Sequence, residues 1–214
     1  MLCSRKTGKL AKKVYNVSNS SEKKFKKSQC CEKTMYCYIA CLPNKAVSAA
    51  IKKTVNDICS QFELNELAEK RRIPHITLKS PFIIRATKDL EQMLAEFAQR
   101  YDQSTFEING FGSFDDDHII YVKVQPSPQM IAVTQALLEE LRRTCGVKLS
   151  KYDSEKIYHI TLGKREELQG QGRNILWHLE KTPLRLTGTF ESIAIMQKRL
   201  TTTNLYQTYR LQSK

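Results

Sequence analysis

The sequence predicts an α+β fold: a two-lobed, duplicated domain with pseudo-two-fold symmetry, antiparallel sheets lining a central cleft and helices on the outside. Three observations carry this reading. Short apolar runs of strand type interleave with amphipathic runs at helical spacing. The order strand, helix, strand, helix, strand occurs twice. The tetrapeptide His-Ile-Thr-Leu also occurs twice, at 75–78 and 159–162, and the same 84-residue shift carries Thr-Phe-Glu at 105–107 onto Thr-Phe-Glu at 189–191. Two words matching at one offset mark a repeated structural unit, and with only two copies a paired domain is expected rather than a solenoid.

The elements follow in order. "MYCYIACL" (35–42) is a strand, and 45–60 is a helix, because Val47, Ala50, Ile51, Thr54 and Ile58 recur on one face behind Asn44, a good N-cap. "IPHITL" (73–78) is a strand opened by Pro74. Helix 87–101 carries Leu90, Met93, Leu94, Phe97 and Tyr101 on one face, with Thr87 as its cap. "TFEINGF" (105–111) and "HIIYVKV" (118–124) are strands joined at the acidic turn 115–117. The second copy begins there. Ser127 and Pro128 start a helix with Met130, Thr134, Leu137, Leu138, Leu141 and Cys145 inward, and Gly146 ends it. "IYHITL" (157–162) is a strand, 173–181 a short helix after "GQG", and 183–196 and 205–211 are the last strands.

Composition narrows the class. With 214 residues, 41% of them hydrophobic, the chain can bury a full core and fold alone. No apolar run approaches the 18 or so residues of a membrane span, and the lysine-rich N-terminus lacks the features of a signal peptide. The seven cysteines contain no CxxC pair and no zinc-ligand spacing, which fits reduced thiols, a reducing compartment and a cytoplasmic monomer without an obligate protein partner. Charge is uneven. Residues 1–34 hold ten Lys/Arg against Glu22 and Glu32, so +8 of the +13 lies in a polar segment expected to be a disordered tail, with residues 35–214 as the folded domain. Such a tail can attract RNA or anionic lipid, but a solubilising or expression-related extension is the favoured reading.

The repeated tetrapeptide points to chemistry. On a strand His75 and Thr77 face one side while Ile76 and Leu78 face the other, and His159, Thr161, Ile160 and Leu162 repeat the pattern. The apolar pairs pack inward, so symmetry offers two imidazoles and two hydroxyls to one cleft. A neutral histidine can take a proton from an attacking water or hydroxyl while a protonated one gives a proton to the leaving oxygen. The threonine hydroxyls suit the non-bridging oxygens of a phosphate. This is phosphodiester chemistry without a metal or cofactor. A zinc site would want three or four ligands, and symmetry pairs only two histidines, with threonine in the companion places.

An H-x-T motif on two strands about eighty residues apart, inside duplicated strand and helix units, resembles the two-histidine (2H) phosphoesterase superfamily, which contains bacterial 2'-5' RNA ligase and RNA cyclic phosphodiesterases. The likeness runs from about Met35 to Leu211, and "PHITLKSPF" and "GFGSF…IIYVKVQP" are similar to one bacterial branch. The tail before Met35 has no counterpart in that pattern. The resemblance implies opening of 2',3'-cyclic phosphates at RNA ends, or action on 2'-5' linked or cyclic nucleotides, with reversible 2'-5' ligation as a related activity. It assigns His75, Thr77, His159 and Thr161 to the catalytic site, with the acid and base order open.

Lys79 shares strand parity with His75 and Thr77, and Lys164 and Arg165 follow the second motif, so these three are candidates for substrate phosphates. Phe82 and Tyr158, beside the motifs, are candidates for stacking a base. His118 and His178 have no such setting and read as structural or exposed. No Gly-rich loop or Ser/Cys nucleophile motif competes. A binding module that grips RNA termini in the same cleft without turnover, with the basic tail adding affinity, is the alternative function.

Overall fold

The protein is described by a computed structural model that covers residues 34–200 and 202–213. The expected tail therefore lies, apart from Thr34, outside the described residues, together with Cys3, Cys30 and Cys31. The chain runs β1 (Met35–Pro43), α1 (Lys45–Phe62), α2 (Asn65–Glu69), β2 (Ile76–Ile84), α3 (Thr87–Ala98), β3 (Ser104–Phe114), β4 (Ile119–Pro126), α4 (Pro128–Cys145), α5 (Lys151–Ser154), β5 (His159–Lys164), a 3-10 turn (Arg165–Leu168), α6 (Gly172–Glu180), β6 (Arg185–Lys198) and β7 (Thr203–Arg210). A shift of 84 residues lays β1, α1, α2, β2, α3 and β3 over β4, α4, α5, β5, α6 and β6.

Local chemistry sets the boundaries. The Asn44 side chain accepts from Val47 N at 3.0 Å, and Ser127 accepts from Met130 N at 3.2 Å, satisfying donors that a helix start leaves free. Gly146 closes α4 in the left-handed region at φ 64°. Thr87 is the first residue of α3 and not its cap; the capping position is Ala86, which makes no side-chain bond. The β2 strand starts one residue after His75 and runs on through Pro81, which an edge strand tolerates because its outer side needs no donor.

All seven strands form one antiparallel sheet in the order β2-β1-β6-β3-β4-β5, with β7 on β6, so the separate sheets expected from the sequence are continuous. The joint is the β3–β6 ladder. There Thr105 lies opposite Thr189, Ser104 opposite Phe190 and Phe106 opposite Gly188. Because Thr105 and Thr189 are equivalents in the repeat, the pseudo-dyad passes between them.

One face of the sheet carries the helices and the main core. Met35, Cys37, Ile39 and Cys41 of β1 point into it, as do Phe106 and its repeat equivalent Phe190. Fully burying a Met, Ile or Phe side chain there contributes roughly 1.5–3 kcal/mol. The opposite face bears a small second cluster, Tyr38, Ala40, Ala194 and Met196, and it is this face that holds the site. At the two ends of the sheet order, β2 and β5 come back to within 8 Å of each other between Cα atoms, so the sheet curls and its terminal strands meet across a cleft.

Candidate active site

Both motif histidines are held in the same way. His75 Nδ1 lies 2.8 Å from Ile73 O, and His159 Nδ1 lies 2.8 Å from Ile157 O, the repeat-equivalent carbonyl. A carbonyl only accepts, so each Nδ1 carries the proton and each neutral ring presents a bare Nε2. For His75 that atom is 3.1 Å from Tyr38 Oη, whose hydroxyl donates to it. His159 instead packs against two aromatic edges, Phe114 at 5.1 Å and Tyr121 at 5.3 Å between ring centroids. Phe114 and Tyr121 stack on each other at 4.1 Å. Gly112 makes that stack possible, since a Cβ there would sit 2.8 Å from the Tyr121 ring.

Proton affinities reflect this enclosure. Burial lowers the pKa of His75, the bond to Ile73 O opposes the drop, and the charges of His159, Arg72 and Lys164 add to it. Burial likewise lowers His159, against its bond to Ile157 O and with help from Lys156. His159 thus acts on His75 by charge, as groups facing one cleft do. Thr77 and Thr161 lie half-buried, opposite Ala40 and Tyr121 in their ladders, and their hydroxyls have no hydrogen-bond partner among the described residues.

The other candidates divide. Lys164 is exposed at the mouth of the cleft, its pKa lowered by burial and by Arg72. Arg165 turns the other way, 62% exposed and 3.4 Å from Asp115. Lys79 does not face the cleft: its side chain is 1% exposed and its Nζ lies 2.9 Å from Asp153 Oδ2. The cause is a bulge. Thr77 pairs with Ala40 but Lys79 with Ile39, so Leu78 is an extra residue that resets the alternation and turns Lys79 inward. Phe82 and Tyr158 also leave the cleft, for both pack against the helix-side core. Tyr158 lines a recess of about 400 Å³ with Thr134 and Leu138.

Sequence reasoning missed Arg72, which lies three residues before His75. Its Nη2 pairs with Glu167, a carboxylate 2% exposed that also takes Lys70 Nζ at 2.7 Å, while its Nη1 is buried without a hydrogen-bond partner among the described residues. The charge of Arg72 acts on Tyr38, His75 and Lys164, so the guanidinium stands within electrostatic reach of the cleft groups. Tyr38 was missed too, although the alternation of "MYCYIACL" carries its signal: Tyr36, Tyr38 and Ala40 share one face. Among the described residues no three His, Cys, Asp or Glu side chains gather as a metal-ligand group, and no helix is long and apolar enough to cross a membrane.

A curled antiparallel sheet with helices on one face and paired H-x-T motifs on the other defines a 2H phosphoesterase fold. The chain belongs to the 2'-5' RNA ligase superfamily, whose sequence profile matches residues 43–202. Among solved structures it is similar to TT0787 of Thermus thermophilus, at 15% identity and TM-score 0.61, over 84% of this chain and 100% of that one. It is also similar to Escherichia coli LigT complexed with 3'-AMP, at 15% identity and TM-score 0.57, over 84% of this chain and 99% of that one. At such identity the likeness speaks for the fold. A search of curated protein sequences gives no match.

Proposed function

We propose that this protein is a metal-independent phosphodiesterase that opens 2',3'-cyclic phosphates at RNA ends, or acts on 2'-5' linked or cyclic nucleotides, by two-histidine acid and base catalysis. The observation that carries the reading is the matched tethering of His75 and His159, each fixed through Nδ1 so that proton transfer falls to Nε2, which in His75 also accepts from Tyr38 Oη. One neutral Nε2 takes a proton from water as the water oxygen bonds to phosphorus. The bond from phosphorus to the 3' oxygen breaks, and the other imidazolium gives that oxygen its proton, leaving a 2'-phosphate and a 3' hydroxyl. Each transfer is typically worth about 10² to 10⁴ in rate. Thr77 and Thr161 donate to the non-bridging oxygens, and Arg72 and Lys164 offset the charge that builds there. With a ribose 5' hydroxyl in place of water, the same step would join that ribose through a 2'-5' linkage and free the 3' hydroxyl, and its reverse would cleave such a linkage to the cyclic phosphate.

The test is incubation with an oligonucleotide ending in a 2',3'-cyclic phosphate, in EDTA. The expected product is the 2'-phosphate, formed by the wild type and lost in His75→Ala and in His159→Ala with the circular dichroism spectrum unchanged. Tight binding of the oligonucleotide without product would favour the RNA-terminus binding module. Activity that disappears in EDTA and returns with a divalent ion would replace the metal-free reading.

A further inference from the structure

We propose that Tyr36 and Lys198 form a second nucleoside subsite, taking the penultimate base of an oligonucleotide on the Tyr36 ring and the adjoining phosphate on Lys198. The inference rests on the reading of the cleft as a site for RNA ends, and it names what lies beside that site.

Tyr36, Tyr38 and Ala40 project from the same face of β1, the face of the second cluster. Tyr38 is 6% exposed and bonded to His75, whereas Tyr36, two residues further out, is 44% exposed. Two steps of strand span about 7 Å, within reach of one sugar-phosphate unit. Tyr36 pairs across the ladder with Ile83, itself 68% exposed, so an open apolar surface continues from the cleft. Lys198 reaches over the Tyr36 ring with Nζ 5.1 Å from the centroid.

Charge connects this surface to the histidines. Lys198 acts on Lys164, and Lys164 and Arg72 act on His75, so cations line the way from one to the other. Glu167, an acid beside them, is buried and already engaged by Lys70 and Arg72. An exposed aromatic ring offers a π face to any base, and a lysine beside it suits a phosphate of any sequence, so the subsite reads chain length and not base identity.

The experiment measures affinity at fixed salt for two ligands, a mononucleotide and a dinucleotide that carry the same terminal 2'-phosphate, with wild type, Tyr36→Ala, Tyr36→Phe and Lys198→Met. The wild type is expected to bind the dinucleotide more tightly. Tyr36→Ala should lose about tenfold on the dinucleotide and nothing on the mononucleotide, and Tyr36→Phe should keep the advantage. Lys198→Met should weaken dinucleotide binding and reduce its salt slope by about one. Equal affinity of the wild type for both ligands, or a Tyr36→Ala loss that is absent or the same for both, overturns the subsite. Failure of the wild type to turn over a cyclic-phosphate dinucleotide would overturn the catalytic reading instead, while the affinity series still decides the subsite.

Discussion

Thr105 stands directly opposite Thr189 in the ladder that joins the two halves of the sheet, and each is the other's repeat equivalent. The pseudo-dyad therefore passes through a cross-strand pair, and the repeated Thr-Phe-Glu marks the place where the two copies are joined. Symmetry about that point is what directs His75, just ahead of β2, and His159, the first residue of β5, toward a single cleft from opposite ends of the sheet order.

Two glycines on these strands should respond differently to one methyl group. A Cβ at Gly188 would overlap the ring of Phe106, which is 1% exposed and packed in the core beside the dyad. Gly188→Ala is expected to cost about 1–3 kcal/mol, measured by denaturant unfolding. At Gly112 the overlap is shallower, 2.8 Å from Cζ and Oη of Tyr121 against 2.2 Å from the Phe106 ring at Gly188. Gly112→Ala should leave stability within about 1 kcal/mol and lower kcat severalfold, because Tyr121 packs on His159.

A buried ion pair spaces the halves. Asp153, just ahead of β5, accepts from Lys79 Nζ at 2.9 Å, from the backbone N–H groups of Ser80 and Ser150 at 2.8 Å each, and from both serine hydroxyls at 3.0 Å. Removing the carboxylate strands a buried ammonium, so Asp153→Asn should cost about 3–5 kcal/mol. Lys79→Met combined with Asp153→Asn should cost less than the two singles added, as measured in a double-mutant cycle. Burial pushes the Asp153 carboxyl up, but its donors outweigh burial and bring it down to about 2. With a folded pKa below the ordinary 3.8, this contribution is complete above pH 3.8 and is lost as pH falls through about 2. Its size is roughly 2 kcal/mol, and the corresponding fall in stability on acidification should be missing from Asp153→Asn.

Much of this was legible in the sequence where period and capping chemistry act locally. Asn44, Ser127 and Gly146 bound their helices as their side chains or backbone freedom dictate, and the 84-residue offset gave the order of the repeat. What the sequence hid depends on register. The extra residue at Leu78 turns Lys79 from the cleft to the interior, a change that no periodicity within "HITLKS" announces. Arg72 precedes its strand in a stretch without regular structure, and its anchor Glu167 is 95 residues away, so only the folded chain brings them together. Phe82 and Tyr158 adjoin the motifs in sequence, but both side chains pack on the helix side.

The dependence of rate on pH follows from the two imidazoles. The base must be neutral, so kcat/KM rises as pH climbs through the lower of the two pKa values. The acid must be protonated, so kcat/KM falls as pH climbs through the higher. Both values lie below the ordinary 6.5 in the free protein, chiefly through burial. The optimum of kcat/KM is therefore expected below pH 6.5. Lys156→Met removes a charge that lowers His159 and should move one limb of the profile toward higher pH, with the other limb unchanged. A profile centred well above pH 7, or two limbs that move together, would contradict the assignment.

Arg72 combines two tasks that a lysine cannot share. Its Nη2 is spent on Glu167, and that anchor fixes a guanidinium whose charge acts on His75, Tyr38 and Lys164. A planar fork can hold a carboxylate with one nitrogen and a phosphate oxygen with another, whereas an ammonium is a point charge drawn to one of them. In Arg72→Lys the ammonium should settle on Glu167, because that carboxylate is buried and its charge is costly to leave unpaired. Substrate would then lose a donor in ground and transition states alike, which raises KM about tenfold and leaves kcat within a few fold. Arg72→Met should raise KM similarly and in addition lower the melting temperature, since among the described residues Glu167 then keeps only Lys70 as an ionic partner. Equal KM values for wild type and Arg72→Lys would remove Arg72 from the site and leave it a structural partner of Glu167.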